Sequence, residues 1–66
     1  MFVSQLSIIM FFKMMSHEQL SSVTGISVDR LRDILRDNEC SYPEAERILS
    51  ALDMDLMEFF SFSPSG

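Results

Sequence analysis

Apolar residues recur at helical spacing along most of the chain, and short polar segments divide this pattern into five runs. In the middle runs, apolar side chains fall three or four positions apart, which is typical of an amphipathic helix with one buried face. The pattern therefore predicts five helices and no strands. Their expected extents are roughly residues 3–14, 17–24, 28–36, 42–52 and 56–60.

Polar residues at capping positions indicate where four of these helices begin. Ser27 is the expected cap of the third helix, and Gly25 before it can take the positive φ that a sharp turn needs. Three further pairs have the spacing of a capping box, in which each side chain binds the backbone N–H of the other residue. These pairs are Ser16 with Gln19, Ser41 with Glu44, and Asp55 with Glu58.

Length and hydrophobic content predict one small folded domain, because the chain has 66 residues of which 47% are hydrophobic. We expect this domain to span residues 1–62 and residues 63–66 to form a frayed tail. Its core is predicted from the inward-facing apolar positions of the helices. These positions are Leu6, Ile9, Leu20, Val23, Ile26, Leu31, Ile34, Ile48, Leu49 and Leu52.

The first helix departs from the amphipathic pattern, because it is apolar on every side and Lys13 is its only charged residue. A helix of that kind is buried all round, and one small domain cannot cover both of its faces. We expect the outward residues to contact another chain, either a second copy or a protein partner. They are Ile8, Met10, Phe11, Phe12 and Met14. Alternatively, the C-terminal aromatic residues fold back over this helix, namely Phe59, Phe60 and Phe62.

The rarity of His and Cys argues against several classes of function. His17 and Cys40 are the only residues of their types, so the chain has neither zinc-ligand spacing nor a nucleophile–base–orienter set. We therefore expect no enzyme activity, no metal, no cofactor and no small-molecule ligand. The apolar run "IIMFF" is too short to span a bilayer and no small-residue cleavage site follows it. The expected location is the cytoplasm, without membrane contact.

The second and third predicted helices, joined by a turn at Gly25, have the form of a helix-turn-helix. The chain resembles the Cro and phage-repressor (XRE-type) helix-turn-helix family over roughly residues 4–61. The matching segments are "SHEQLSSVTGIS", "LRDIL" and "PEAERILSALDMDLMEFF". The resemblance implies an all-α, five-helix Cro/lambda-repressor-like domain that binds double-stranded DNA, usually as a dimer, and regulates transcription.

The resemblance also implies which residues contact DNA. In the family, side chains at the start and along the outer face of the third helix touch base edges. The residue just after the cap of the second helix commonly contacts phosphate. The corresponding positions in this chain are His17 on the second helix, and Ser27, Val28, Asp29, Arg32, Asp33 and Arg36 on the third.

The charges in and just after the third helix leave two functions open. Its three arginines stand beside four acidic residues, Asp29, Asp33, Asp37 and Glu39, and the whole chain carries −5. Arginine can read guanine, and a carboxylate can accept from cytosine N4, so the helix can read DNA. The chain would then be what the resemblance implies, a small repressor-like regulator of phage or prophage type. The same charges can instead pair along the helix, Asp29 with Arg32 and Asp33 with Arg36. The helix would then recognise no DNA sequence. The chain would then be a protein-interaction module, an antirepressor or inhibitor, that binds through its apolar first helix and acidic surface.

Overall fold

The computed structural model describes residues 2–63, and within that range the chain forms five α-helices and no strand, as the sequence predicts. Helix α2 packs against α3 and α4, while α1 packs against α3 and α5. The predicted tail at residues 63–66 lies, apart from Ser63, outside the described residues. The helices are α1 (Phe2–Phe12), α2 (His17–Thr24), α3 (Val28–Asp37), α4 (Tyr42–Leu52) and α5 (Leu56–Ser61).

Side-chain caps begin the last four helices where the sequence predicts them. Ser27 Oγ accepts from the Arg30 N–H at 3.1 Å at the start of α3. The three predicted capping boxes are present at the starts of α2, α4 and α5. Each cap satisfies backbone N–H groups that the first turn of a helix leaves without an intrahelical partner. Local chemistry therefore determines these helix starts.

Backbone conformations with positive φ end α1 and α2. Gly25 has φ of +78° and its N–H donates to Ser21 O at 2.9 Å, which closes α2 and turns the chain into α3. Met14 has φ of +54°, and the N–H of Met15 donates to Met10 O at 2.8 Å. The first helix therefore ends at Phe12 rather than near residue 14, because the left-handed residue breaks the helical ladder.

The core lies between the inner faces of all five helices, and seven of the ten predicted core residues are buried in it. Leu49 and Leu52 are half-buried against its edge. Val23 is 54% exposed, so its prediction was wrong. The packed side of α2 is formed by Leu20 with half-buried Ser21 and Thr24, and Val23 is turned away from it. The seven are Leu6, Ile9, Leu20, Ile26, Leu31, Ile34 and Ile48.

Met10 belongs to the core and not to the outer face of α1, where the sequence analysis placed it. It is only 6% exposed, because it lies four residues after Leu6 and seven after Val3, on the same side of the helix. Val3 is buried as well, although it was not among the predicted core positions. None of the helices within residues 2–63 has the length and apolar character needed to cross a bilayer.

Aromatic side chains pack α5 against α1. The fully buried Phe59 ring stacks on Phe2 with centroids 4.5 Å apart. Gln5 Nε2 donates to Phe59 O at 2.7 Å and to Phe62 O at 2.9 Å, so it caps the end of α5. Phe62 then meets Phe12 edge-on at 5.5 Å. Of the outward residues of α1, the C-terminal aromatic residues contact Phe12 through Phe62, whereas Phe11 and Met14 remain exposed. The alternative interpretation is therefore confirmed only for Phe12.

Candidate nucleic-acid interface

Helices α2 and α3 meet through the turn at Gly25, and the side of α3 opposite Leu31 and Ile34 faces outward. The structure brings the predicted DNA-contacting residues of α3 together on or beside this outward side, while His17 lies at the first position of α2. Four of the seven are exposed, namely Ser27, Asp29, Arg32 and Arg36. The other three are half-buried, namely His17, Val28 and Asp33.

Arg30 is held by α4 and is not available to this outward side. Its Nε donates to Glu44 Oε2 at 2.6 Å and its Nη2 donates to Glu44 Oε1 at 2.8 Å. The same carboxylate accepts from the N–H and the hydroxyl of Ser41, each at 3.0 Å, in the capping box of α4. Glu44 therefore fixes the start of α4 and the orientation of α3 at once. The two charged partners lie 14 residues apart in sequence, and no local spacing rule predicted them.

Arg36 is also paired, but within its own helix. Its Nη2 lies 2.8 Å from Asp33 Oδ1 and its Nε lies 3.2 Å from Asp37 Oδ1. The predicted pair of Asp33 with Arg36 is therefore present. Arg36 and Asp37 are exposed and Asp33 is only half-buried, so these pairs add little to stability and can exchange for other partners.

Arg32 differs from the other two arginines of α3. It is exposed, and it makes no ion pair or side-chain hydrogen bond within residues 2–63. The predicted pair of Asp29 with Arg32 does not form in this part of the chain. A guanidinium presents a planar fork of donors that suits guanine O6 and N7, or a phosphate. Arg32 is therefore the arginine of α3 whose guanidinium is not engaged by another side chain within residues 2–63.

The Glu44 contacts predict how stability depends on pH. Hydrogen bonding from Arg30 first, and then from the Ser41 N–H, lowers the pKa of Glu44 from 4.5 to about 2. This pKa is lower in the folded than in the unfolded chain. The Glu44 carboxylate therefore contributes its full stabilisation above about pH 4.5, and this contribution is lost as the pH falls towards 2. We expect Glu44→Gln to lose less stability than the unmodified protein between pH 5 and pH 2.5, as measured by urea unfolding at each pH.

Glu46→Gln is the matched control for this measurement, because Glu46 is an exposed carboxylate on the same helix. Glutamine can still complete a capping box, so Glu44→Gln removes the charge while the cap is retained. Equal pH dependence in Glu44→Gln and Glu46→Gln would contradict the role given to the contact with Arg30.

The described residues offer little chemistry beyond this surface. No group of three or more His, Cys, Asp or Glu side chains within residues 2–63 is placed as metal ligands would be. Burial, and then the nearby Glu44 carboxylate, raise the pKa of the Cys40 thiol. A thiol with a raised pKa is a poor nucleophile at neutral pH.

The predicted partner-binding residues of α1, apart from Met10, lie on the surface. The exposed fractions of Phe11 and Met14 are 84% and 87%, whereas those of Ile8 and Phe12 are 41% and 53%. Phe12 is lower partly because Phe62 lies against it. These four side chains form an apolar surface at the outer side and C-terminal end of α1.

Comparison with known protein families matches residues 5–65, nearly the whole chain, to the Cro/C1-type HTH DNA-binding domain. Neither the comparison with curated proteins nor the comparison with solved structures gives a match. The matched region contains the turn at Gly25, the outward side of α3 and most of α1. The family match and the five-helix fold show that this chain belongs to the Cro/C1-type helix-turn-helix DNA-binding domain family.

Proposed function

We propose that this protein is a repressor-like transcription regulator that binds double-stranded DNA as a dimer and inserts α3 into the major groove. The observation that carries the proposal is Arg32, which is exposed on α3 and has no ion pair within residues 2–63. A net charge of −5 disfavours a broad phosphate-binding surface, since such surfaces depend on many Lys and Arg contacts. Binding must then depend on a few contacts in the groove.

The remaining predicted contacts are assigned by their position around Arg32. Ser27 accepts from the backbone of its own helix through Oγ, and its hydroxyl proton can still donate to a phosphate or a base. Arg36 can reach DNA only by leaving Asp33 and Asp37. Asp29 is suited to a cytosine N4 donor and not to phosphate. We therefore propose that α3 reads a short sequence in which a guanine faces Arg32.

Arg32→Ala tests the proposal directly. Selection from a pool of random duplexes at low salt should yield a bound sequence, and Arg32→Ala should weaken binding to it by about 1–3 kcal/mol if the contact to guanine is bidentate. Fluorescence anisotropy titration measures the loss. Arg47→Ala is the matched control, because Arg47 is an exposed arginine on α4, outside the helix-turn-helix. Arg47→Ala should bind like the unmodified protein.

Two outcomes would reject this proposal. In the first, no duplex is enriched even at low salt. In the second, Arg32→Ala and Arg47→Ala bind the selected duplex equally well, which would mean that α3 does not read it. Circular dichroism of both variants shows whether the fold is intact, and we expect it to be, because both side chains are exposed.

A protein-binding role is the second candidate, and the exposed apolar surface of α1 favours it. In that case the chain inhibits a protein partner through Phe11 and its neighbours, together with its acidic surface. Substitutions of Arg32 would then leave function unchanged, whereas a charged residue at position 12 would abolish function in a protein that stays folded. Enrichment of one duplex, lost in Arg32→Ala, excludes a role confined to protein binding.

A further inference from the structure

The outer side of α1 carries no charged side chain, and its small and large residues lie in separate halves of the helix. Helix α1 contains no charged residue, whereas each of the helices α2–α5 contains at least one. Ser4, Ile8 and Phe11 follow one another at four- and three-residue spacing and so form a single stripe along the helix, opposite the buried side. Ser7 is exposed on one flank of this stripe. Large side chains thus occupy its C-terminal half and small ones its N-terminal half.

We infer that this stripe pairs with the same stripe of a second copy, with the two α1 helices antiparallel about a two-fold axis between residues 7 and 8. That arrangement places Phe11 of each copy opposite Ser4 of the other, since both residues lie three and a half positions from the axis. The small serine leaves room for the phenyl ring. Ile8 packs beside Ile8 of the second copy, and Ser7 beside Ser7. The stripe is therefore complementary to itself in the antiparallel orientation and not in the parallel one, where Phe11 would meet Phe11.

Charge favours a second copy as the occupant of this surface. Each copy carries −5, so two copies that meet through their charged helices repel each other. Two copies meet the least electrostatic repulsion when they approach each other through the outer side of α1. A strongly charged partner gains nothing from a helix without charged residues, because charge complementarity is what selects such partners.

The exposed area determines how strong this contact is. Ile8, Phe11, Phe12 and Met14 together expose roughly 500 Å² per copy, given that an aromatic side chain buries about 150–250 Å². Complete burial of all four side chains in both copies would remove at most roughly 1,000 Å² of surface, less than the ~1,200–2,000 Å² of stable interfaces. The dimer should accordingly dissociate at micromolar concentration and become tighter when both copies hold one DNA molecule. The inference rests on the proposed function, which includes a dimer, and it places the dimer interface on the outer side of α1.

Cysteine cross-linking tests the antiparallel arrangement. In a Cys40→Ala background, Ser7→Cys places two thiols about 1.5 Å apart along the helix axis, whereas Ser4→Cys separates them by about 10 Å. Cα atoms more than ~7 Å apart cannot be bridged by a disulfide. We expect mild oxidation to link Ser7→Cys into dimers and to leave Ser4→Cys unlinked. Efficient linking of Ser4→Cys, or none of Ser7→Cys, would overturn the arrangement.

Sedimentation equilibrium tests which helix forms the contact. Phe11→Glu should weaken self-association at least tenfold, while Met57→Glu should leave it unchanged. Met57 is 79% exposed on α5, so it matches Phe11 in exposure and the two variants carry the same added charge. Weakened association in Met57→Glu alone would overturn the inference.

The two proposals fail in different ways, which DNA titrations of the same variants distinguish. Phe11→Glu should still bind a single half-site, because it leaves α3 intact. A protein that dimerises through α1 but binds no duplex would reject the DNA-binding proposal and support the inference. An unmodified protein that stays monomeric at every concentration, with or without its selected duplex, would reject the inference.

Discussion

Phe59→Ala is expected to lower the free energy of unfolding by about 3–5 kcal/mol, the usual cost of removing a buried phenylalanine side chain. Phe59 is fully buried and stacks on Phe2 at 4.5 Å, so the truncation leaves a cavity where α5 packs on α1. A domain of this size has only about 3–5 kcal/mol of stability from its core. Urea titrations monitored by circular dichroism should therefore find the variant largely unfolded at 25 °C.

Phe60→Ala is the control for this measurement, because it removes the same side chain one residue further along. Phe60 is 47% exposed and meets Phe59 edge-on at 5.2 Å. Its loss should cost about 1 kcal/mol or less, since it forms ring contacts but little buried volume. If Phe60→Ala proves as costly as Phe59→Ala, α5 is rotated relative to the packing described above.

Leu31→Ala is expected to destabilise the domain by about 2–5 kcal/mol, again measured by urea unfolding. Leu31 is fully buried and fixes the inner side of α3 in the core. Val23→Ala is the control on the neighbouring helix, because the Val23 side chain is 54% exposed and its truncation should change stability by no more than about 0.5 kcal/mol. A loss below half a kcal/mol in Leu31→Ala would place Leu31 on the surface. The assignment of the outward side of α3 would then be wrong.

Signals within three or four residues were enough to predict most helix boundaries. Ser16, Ser41 and Asp55 each cap the helix that follows through a partner three residues later. The left-handed turn at Gly25 follows from the residue type alone. The apolar periodicity of α3 was equally informative, because charged residues on its other side leave only one inner face.

The inner face of α1 was harder to predict, because a helix that is apolar all round has no polar side to orient it. Its buried side is selected by the residues that pack on it, and these include Phe59 near the other end of the chain. This is why Met10 was assigned to the outer face and Phe59 was missing from the predicted core. The end of α1 also depends on Met14, which adopts positive φ although methionine has no preference for that conformation.

The sequence was enough to predict which residues form the candidate DNA-contacting surface. It was not enough to predict which of their side chains are paired within the protein. The spacing of Asp33 and Arg36 predicts their pair, since residues three apart on a helix are neighbours. The contact of Arg30 with Glu44 spans the segment between α3 and α4, and only the fold brings the two together. Knowledge of both pairs is needed to single out Arg32.

If α3 enters the major groove as proposed, the position of Arg36 between two carboxylates affects how long the protein stays on DNA of the wrong sequence. Such DNA offers this arginine mainly phosphate oxygens, while Asp33 and Asp37 already supply carboxylate oxygens at 2.8 and 3.2 Å. Leaving them gains little, whereas a guanine in the right place offers two acceptors in one plane. We expect residence times on non-specific DNA to be short. Under the proposed function, the protein should then search DNA mainly by dissociating and rebinding, because sliding depends on the phosphate contacts that it lacks.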